Sequence, residues 1–350
     1  MLTRMKRHLS ADQDLAHQRI RNGSLIASRA ASGTSVRSAP HRQESAALAW
    51  ARARILGAGP SPAAAQIQRR IMIAGKPYKP TAKYYRYLTS NFGPAMKEFV
   101  ESMHHDGNPP DYAFSNNEQM GNEVRVRSKA IQGMEAVHAG CCDYFSDSDP
   151  PYLNVAYWDK VGPVSFVPKT PLPAGKTASD AIEAIFASGA KTRLECLSMT
   201  IAIEYYSLLK GLGRNKFDTM FPGGAGIEIS AKAGHPLLVS SNKKYTVVAV
   251  TNARDLLPGD WVYFKNFTDY LTRHPGGYWQ GENAIYMGLG KYRGFGLGNK
   301  TEGELNAELV DQYNQGLAAS EQRTIADLLA EGGGLLRNPV ARPEIAKIAP

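Results

Sequence analysis

The chain holds 350 residues, 43% of them hydrophobic, enough for one large domain or two ordinary ones, and no apolar run suits a membrane span or a cleaved secretory signal. Its three cysteines are an odd number and two are adjacent, which disfavours a disulfide framework and points to a reducing place of synthesis. The net charge of +9 sits at one end: residues 1–80 carry 14 Lys and Arg against Asp12, Asp14 and Glu44, while the remainder is net −2, so the body lacks the basic surface of a nucleic-acid binder.

Residues 1–65 are rich in Ala, Ser, Arg and Gln and poor in aromatics. Such a stretch buries too little surface to offset its ordering entropy, so a disordered basic extension is expected, with a short helix near 45–55 and a linker from Pro60. The β-branched run 67–78 reads as a short strand opening a folded region over 66–335. Residues 81–140 read as mostly helical, with Tyr84, Tyr85, Tyr87, Leu88 and Phe92 roughly on one face. The proline-rich stretch 148–175 reads as extended connection, and 179–187 as a short helix with Ser179 as its N-cap.

Residues 194–209 are apolar nearly all round, the pattern of a helix buried at the centre of a domain, with Gly211 and Gly213 ending it. Short β-like runs follow at 226–230, 236–240, 245–251, 261–264, 284–287 and 291–295. Thr301 with Glu304 forms a capping-box pattern for a closing helix, and 336–350 reads as a flexible tail. A central helix packed on a mostly antiparallel sheet is an α+β plan.

Cys196 stands at the first turn of the apolar segment, where free N–H groups and the helix dipole favour a thiolate nucleophile. The plainer alternative is a small core residue. Glu195 places a carboxylate beside the thiol, and an acid in the first turn also suits the dipole. The segments Gly259-Asp260-Trp261 and Trp279-Gln280-Gly281-Glu282-Asn283 border or contain short strands and are uninformative singly.

Together these residues carry a resemblance. Leu194-Glu195-Cys196 on a helix ending in Tyr205-Tyr206, Gly259-Asp260 with Tyr263-Phe264-Lys265-Asn266, Trp279-x-Gly281-Glu282-Asn283, and Leu297-Gly298 resemble, in order, the spore-type protein-glutamine γ-glutamyltransferases (transglutaminases) of Bacillus, over about residues 165–318. The resemblance implies an NlpC/P60-like, papain-related core and a cofactor-free, metal-free acyl transfer from protein glutamine to lysine or another amine. It implies Cys196 as nucleophile, Glu282 as its acid/base partner, Glu195 as a partial substitute, and Trp279 as a wall of the substrate tunnel; Asn283, Trp261 and Phe295 join it as substrate-binding candidates. The Bacillus enzymes carry His where this chain has Phe295 and Cys where it has Trp261, and 269–278 does not follow theirs. Those departures bear on tunnel shape and on whether an amine or water takes the acyl group.

Other readings of the same residues remain open. His235 or His274 would pair with Cys196 in a peptidase or amidase, although His274 reads as an exposed loop residue; His104 and His105 read as surface residues. His138 with Cys141 and Cys142 lacks the usual spacing of a zinc site. The junction near 67–78 resembles those before catalytic domains of bacterial polymorphic toxins and injected effectors. That resemblance implies synthesis in a bacterial cytoplasm and a handover from residues 1–65 to a secretion or injection apparatus; a plain flexible extension stands beside it.

Overall fold

The computed structural model describes residues 71–103, 112–145, 149–187, 189–231, 244–250 and 255–344. The expectations for residues 1–65, the run 236–240, His104, His105 and His235 lie outside them. Strands β1 (Ile71–Ile73) and β2 (Lys76–Tyr78) form a hairpin, and β3 (Tyr112–Phe114) adds to β1 in parallel. Helices α1 (Ala82–Phe92), α2 (Pro94–Ser102) and α3 (Asn117–Ala136) fill the region read as helical. Thr81 and Asn116 cap α1 and α3 by accepting backbone N–H groups. Leu88 is buried as expected, whereas Tyr87 of the same helix is exposed.

Past a π-turn at Val137–Cys141 comes β4 (Asp143–Tyr144), which pairs in parallel with β7 (Arg193–Leu194). The proline-rich stretch is not all connection: β5 (Trp158–Gly162) and β6 (Ser165–Pro168) make an antiparallel hairpin extended by β8 (Ile229–Ser230). Pro168 closes an edge pairing with Trp158, where a missing N–H is tolerated. Helix α4 (Ala178–Ile185) is capped by Thr177 and Asp180, not by Ser179, whose N–H and hydroxyl both donate to Asp218 at 2.8 Å.

Helix α5 (Cys196–Leu212) is the buried centre. Its apolar surface meets α3 on one side and the main sheet on another. Gly211 lies inside α5 rather than ending it: a Cβ there would stand 2.7 Å from the Val126 Cα, so only glycine lets the two backbones approach. Helix α6 (Arg214–Met220) follows the Gly213 cap, and a short helix α7 (Tyr270–Arg273) comes later in the chain.

The main sheet is antiparallel throughout, in the order β12 (Lys291–Gly294), β11 (Gly281–Gly288), β10 (Trp261–Lys265), β13 (Gly334–Pro343), β9 (Tyr245–Val248). Its far face is covered by an apolar cluster with α8 (Glu302–Asn314) and α9 (Ile325–Ala330). The capping box of Thr301 and Glu304 opens α8 as read. The expected tail is corrected. Residues 334–343 form an inner strand between β10 and β9, because those strands would otherwise leave their facing N–H and C=O groups unpaired. The irregular, proline-bearing strand is accommodated by a register shift, Trp261 facing Ala341 while Tyr263 faces Leu336.

Asp260, from the Gly-Asp turn, is fully buried and structural. Arg127 Nη1 donates to it at 2.8 Å, Arg342 Nη2 at 2.8 Å and the Leu257 N–H at 2.8 Å, while Arg127 Nε donates to Glu123 at 2.6 Å. This network joins α3, the turn before β10 and β13, and it stabilises only while complete, since losing one member strands a buried charge.

A second buried carboxyl sits mid-helix in α5. Glu204 Oε2 accepts from the Tyr245 and Ser207 hydroxyls, Oε1 has no hydrogen-bond partner among the described residues, and burial raises its pKa to about 7. With the folded value above the unfolded one, the protonated form stabilises the fold below about pH 4.5, and that contribution is lost as pH rises through about 7. Glu204→Gln is therefore expected to flatten the fall in stability between pH 5 and 9, by about 3 kcal/mol, as read by denaturant unfolding at the two pH values. A variant that loses stability with pH as steeply as the parent would contradict this.

No helix of the described residues is long and apolar enough to cross a membrane.

Candidate active site

Strand β7 delivers the chain into α5 so that Glu195 becomes the N-cap and Cys196 the first helical residue. Glu195 Oε2 accepts the Leu197 N–H at 2.7 Å, and Oε1 accepts the Ser198 N–H at 2.5 Å and the Ser198 hydroxyl at 2.6 Å. The carboxylate thus occupies backbone donors that the sequence alone read as free to favour a thiolate.

Cys196 is 8% exposed. Its sulfur accepts from Asn283 Nδ2 at 3.5 Å, and the Asn283 Oδ1 accepts from Trp261 Nε1 at 3.0 Å. Strand β11 therefore brings Asn283, rather than Glu282, to the sulfur. The reason is the strand period: neighbouring side chains project to opposite faces, and Asn283 takes the face toward α5.

Glu282, also buried, turns its carboxyl toward the end of β12. Oε1 accepts the Phe295 N–H at 3.0 Å. Its seat is the missing side chain of Gly294, where a Cβ would stand 2.2 Å from Oε1. No direct hydrogen bond joins Glu282 to Cys196, yet the two groups feel each other's charge. Burial first, then Glu282 and Glu195, push the thiol well above its ordinary value, while the Asn283 donors oppose the rise. Burial likewise raises Glu282 well above the carboxylate range, opposed by the Phe295 N–H and reinforced by Glu195.

An aromatic wall stands over these groups. The Tyr144 ring lies 5.4 Å from Phe295, 5.6 Å from Phe145 and 6.4 Å from Tyr278, centroid to centroid. Tyr144 and Tyr278 are partly exposed, at 37% and 50%. The inner end of Tyr144 is nonetheless desolvated and feels Cys196, Glu195 and Glu282, with the Cys196 backbone N–H directed at its oxygen. Tyr263 is raised by burial and then by the same three groups.

The structure thus assembles Cys196, Glu195, Glu282, Asn283, Trp261 and Phe295 in one place. Trp279 is half-buried and packs against the apolar cluster beyond the sheet. Tyr144, Phe145 and Tyr278 escaped sequence reasoning; only the aromatic pair after Cys141-Cys142 hinted at the first two. His274 is corrected from an exposed residue to a half-buried one whose Nε2 donates to the Tyr313 carbonyl at 2.6 Å, with no hydrogen bond to Cys196. Among the described residues no group of three His, Cys, Asp or Glu is placed to hold a metal ion.

The family model described as "TGL: Protein-glutamine gamma-glutamyltransferase" matches residues 70–330. The chain belongs to that family. A protein-glutamine gamma-glutamyltransferase of Bacillus cereus (strain B4264) is 29% identical over 226 residues, covering 63% of this chain and 73% of the relative. One of Bacillus licheniformis is 27% identical over 224 residues, 64% of this chain and 81% of the relative. The solved "Transglutaminase from Geobacillus stearothermophilus (without C-terminal extension)" aligns at 22% identity and a TM-score of 0.49, covering 67% of this chain and 96% of that one. As a family member the chain is an acyltransferase acting on protein glutamine.

Proposed function

We propose that Cys196 and Glu282 carry out the transfer, with the glutamine side chain entering past the aromatic wall. The observation that carries this is a nearly buried thiol at the start of α5, held by an amide donor and electrostatically joined to a buried carboxyl. The sulfur attacks the carboxamide carbon, and the carbonyl oxygen displaces the Tyr144 hydroxyl from the Cys196 N–H to gain an oxyanion donor. The C–N bond breaks, ammonia leaves with a proton from Glu282, and a thioester remains. A lysine amine then attacks the thioester, gives its proton to the Glu282 carboxylate, and frees the sulfur as an isopeptide bond forms.

Desolvation suits Glu282 to this exchange, because a carboxyl with an elevated pKa keeps its proton more readily than an ordinary one and can still release it. Glu195, committed to the helix cap, serves as an electrostatic neighbour and a reserve base. Water attacking the same thioester would give glutamate, so the aromatic wall favours transfer by shedding water from the sulfur. The core is read as papain-related and NlpC/P60-like on the strength of its nucleophile-bearing helix against an antiparallel sheet. Residues 1–65 are read, on the resemblance of the junction that follows them to those of injected effectors, as a handle for export or injection rather than as part of the catalyst.

The test is to incubate the protein with a glutamine-containing protein and a labelled primary amine, measuring ammonia and covalent label together. Matched release and incorporation are expected. Ammonia without label would make the protein a deamidase, and neither product would refute the reading.

A further inference from the structure

Most groups around the Cys196 sulfur oppose its ionisation. Glu195 arrives from the β7–α5 junction, Glu282 from β11, Tyr144 from β4 and Tyr263 from β10, and each is acidic or neutral. The helix dipole is blunted because the Glu195 carboxylate lies on the first N–H groups. Against this stand the Asn283 donors, of which the side-chain amide nitrogen lies 3.5 Å from the sulfur. An amide can present either its oxygen or its nitrogen, and only the nitrogen helps a thiolate.

Trp261 decides which. Its indole N–H is a donor only, and it holds the Asn283 oxygen at 3.0 Å, so the amide nitrogen must face the sulfur. Trp261 is 1% exposed and Asn283 6%, leaving little room for water to replace either bond. The register fixes the pair: Asn283 on β11 lies opposite Tyr263, and Trp261 lies opposite Ile285, on the same face two positions along.

We propose that Asn283 is a catalytic residue that stabilises the Cys196 thiolate through its side-chain N–H, and that Trp261 is the positioning residue that locks the amide in the donating orientation. This rests on the reading of Cys196 as the nucleophile. It turns two residues first read as substrate contacts into parts of the machinery that makes the sulfur reactive. The amide supplies the thiolate with a neutral donor where other cysteine enzymes use a histidine cation.

The experiment follows iodoacetamide labelling of Cys196 against pH by peptide mass spectrometry, in the full chain, alongside thermal melting. Asn283→Ala is expected to move the labelling profile about one pH unit upward, so that labelling near neutral pH slows about tenfold while the plateau at high pH is kept. Trp261→Phe, which loses the N–H and keeps a ring, is expected to move it the same way by less. Asn283→Asp is the decisive variant. It preserves shape, so a merely structural role predicts a profile near the parent's, whereas loss of the donor and gain of a carboxylate predict one beyond that of Asn283→Ala.

Parent-like profiles in Asn283→Ala and Trp261→Phe, or an Asp variant closer to the parent than the Ala variant, would overturn the proposal. Should Trp261→Phe fail to fold, the order of the two Asn283 variants still decides. Failure of the underlying reading looks different: amine incorporation would survive in Cys196→Ala, whatever the labelling profiles show.

Discussion

Cys196→Ala is expected to abolish ammonia release and amine incorporation together, by at least about 10³-fold. Both products descend from one thioester, and no second sulfur is placed to form it: Cys141 and Cys142 lie 3.2 Å from each other, with Cys142 hydrogen-bonded to the Ile185 carbonyl. The variant should fold, because the change removes a single sulfur from the helix start and leaves the Glu195 cap in place. A complementary check is to trap the acyl-enzyme with a poor acceptor and find the mass on the Cys196 peptide. Adduct mass elsewhere, or turnover by the alanine variant, would refute the assignment.

Glu282→Gln should separate chemistry from nucleophile strength. Turnover is expected to fall by about 10²–10⁴-fold, since the leaving ammonia loses its proton donor and the incoming amine its base. The same change removes a like charge that holds the thiol pKa up, so the Cys196 labelling profile should move to lower pH, opposite to the shift expected for Asn283→Ala. In the parent both groups are raised, and the productive pair carries one proton between them. The rate should therefore climb as pH rises from acid toward alkaline, the first proton of the pair being lost, and fall again when the second leaves. A Gln variant with near-parental turnover would remove Glu282 from the mechanism.

The buried helix announced itself, because a run apolar on every side has no stable place except a core, and its first residue is therefore the one whose side chain stands beside helix-end backbone groups. The Trp-x-Gly-Glu-Asn run marked the strand that meets it. Adjacency did not reveal facing: Glu282 and Asn283 are neighbours in the motif but face opposite ways in a strand, so the amide reaches the sulfur and the carboxyl takes the Phe295 N–H. Gly294 marks a close approach, though nothing local said that the approaching group is the Glu282 carboxyl.

Other parts were invisible for a different reason. Tyr144 stands far upstream of Cys196 and reaches it only because β4 pairs in parallel with β7, a contact no periodic pattern encodes. Residues 336–350 looked like a tail because proline and irregular spacing weaken a strand signal, yet most of that stretch lies in β13, where two sheet edges needed a partner and Asp260 needed the Arg342 guanidinium.

Residue order alone was enough for the α+β plan, the central helix and the family, since these rest on periodicity and on short motifs that survive without neighbours. The tertiary structure alone decided which side chain touches the sulfur, what covers it and which strand completes the sheet. Those outcomes depend on strand facing, parallel pairing and buried charge partners, which join residues distant in the chain and leave no local trace.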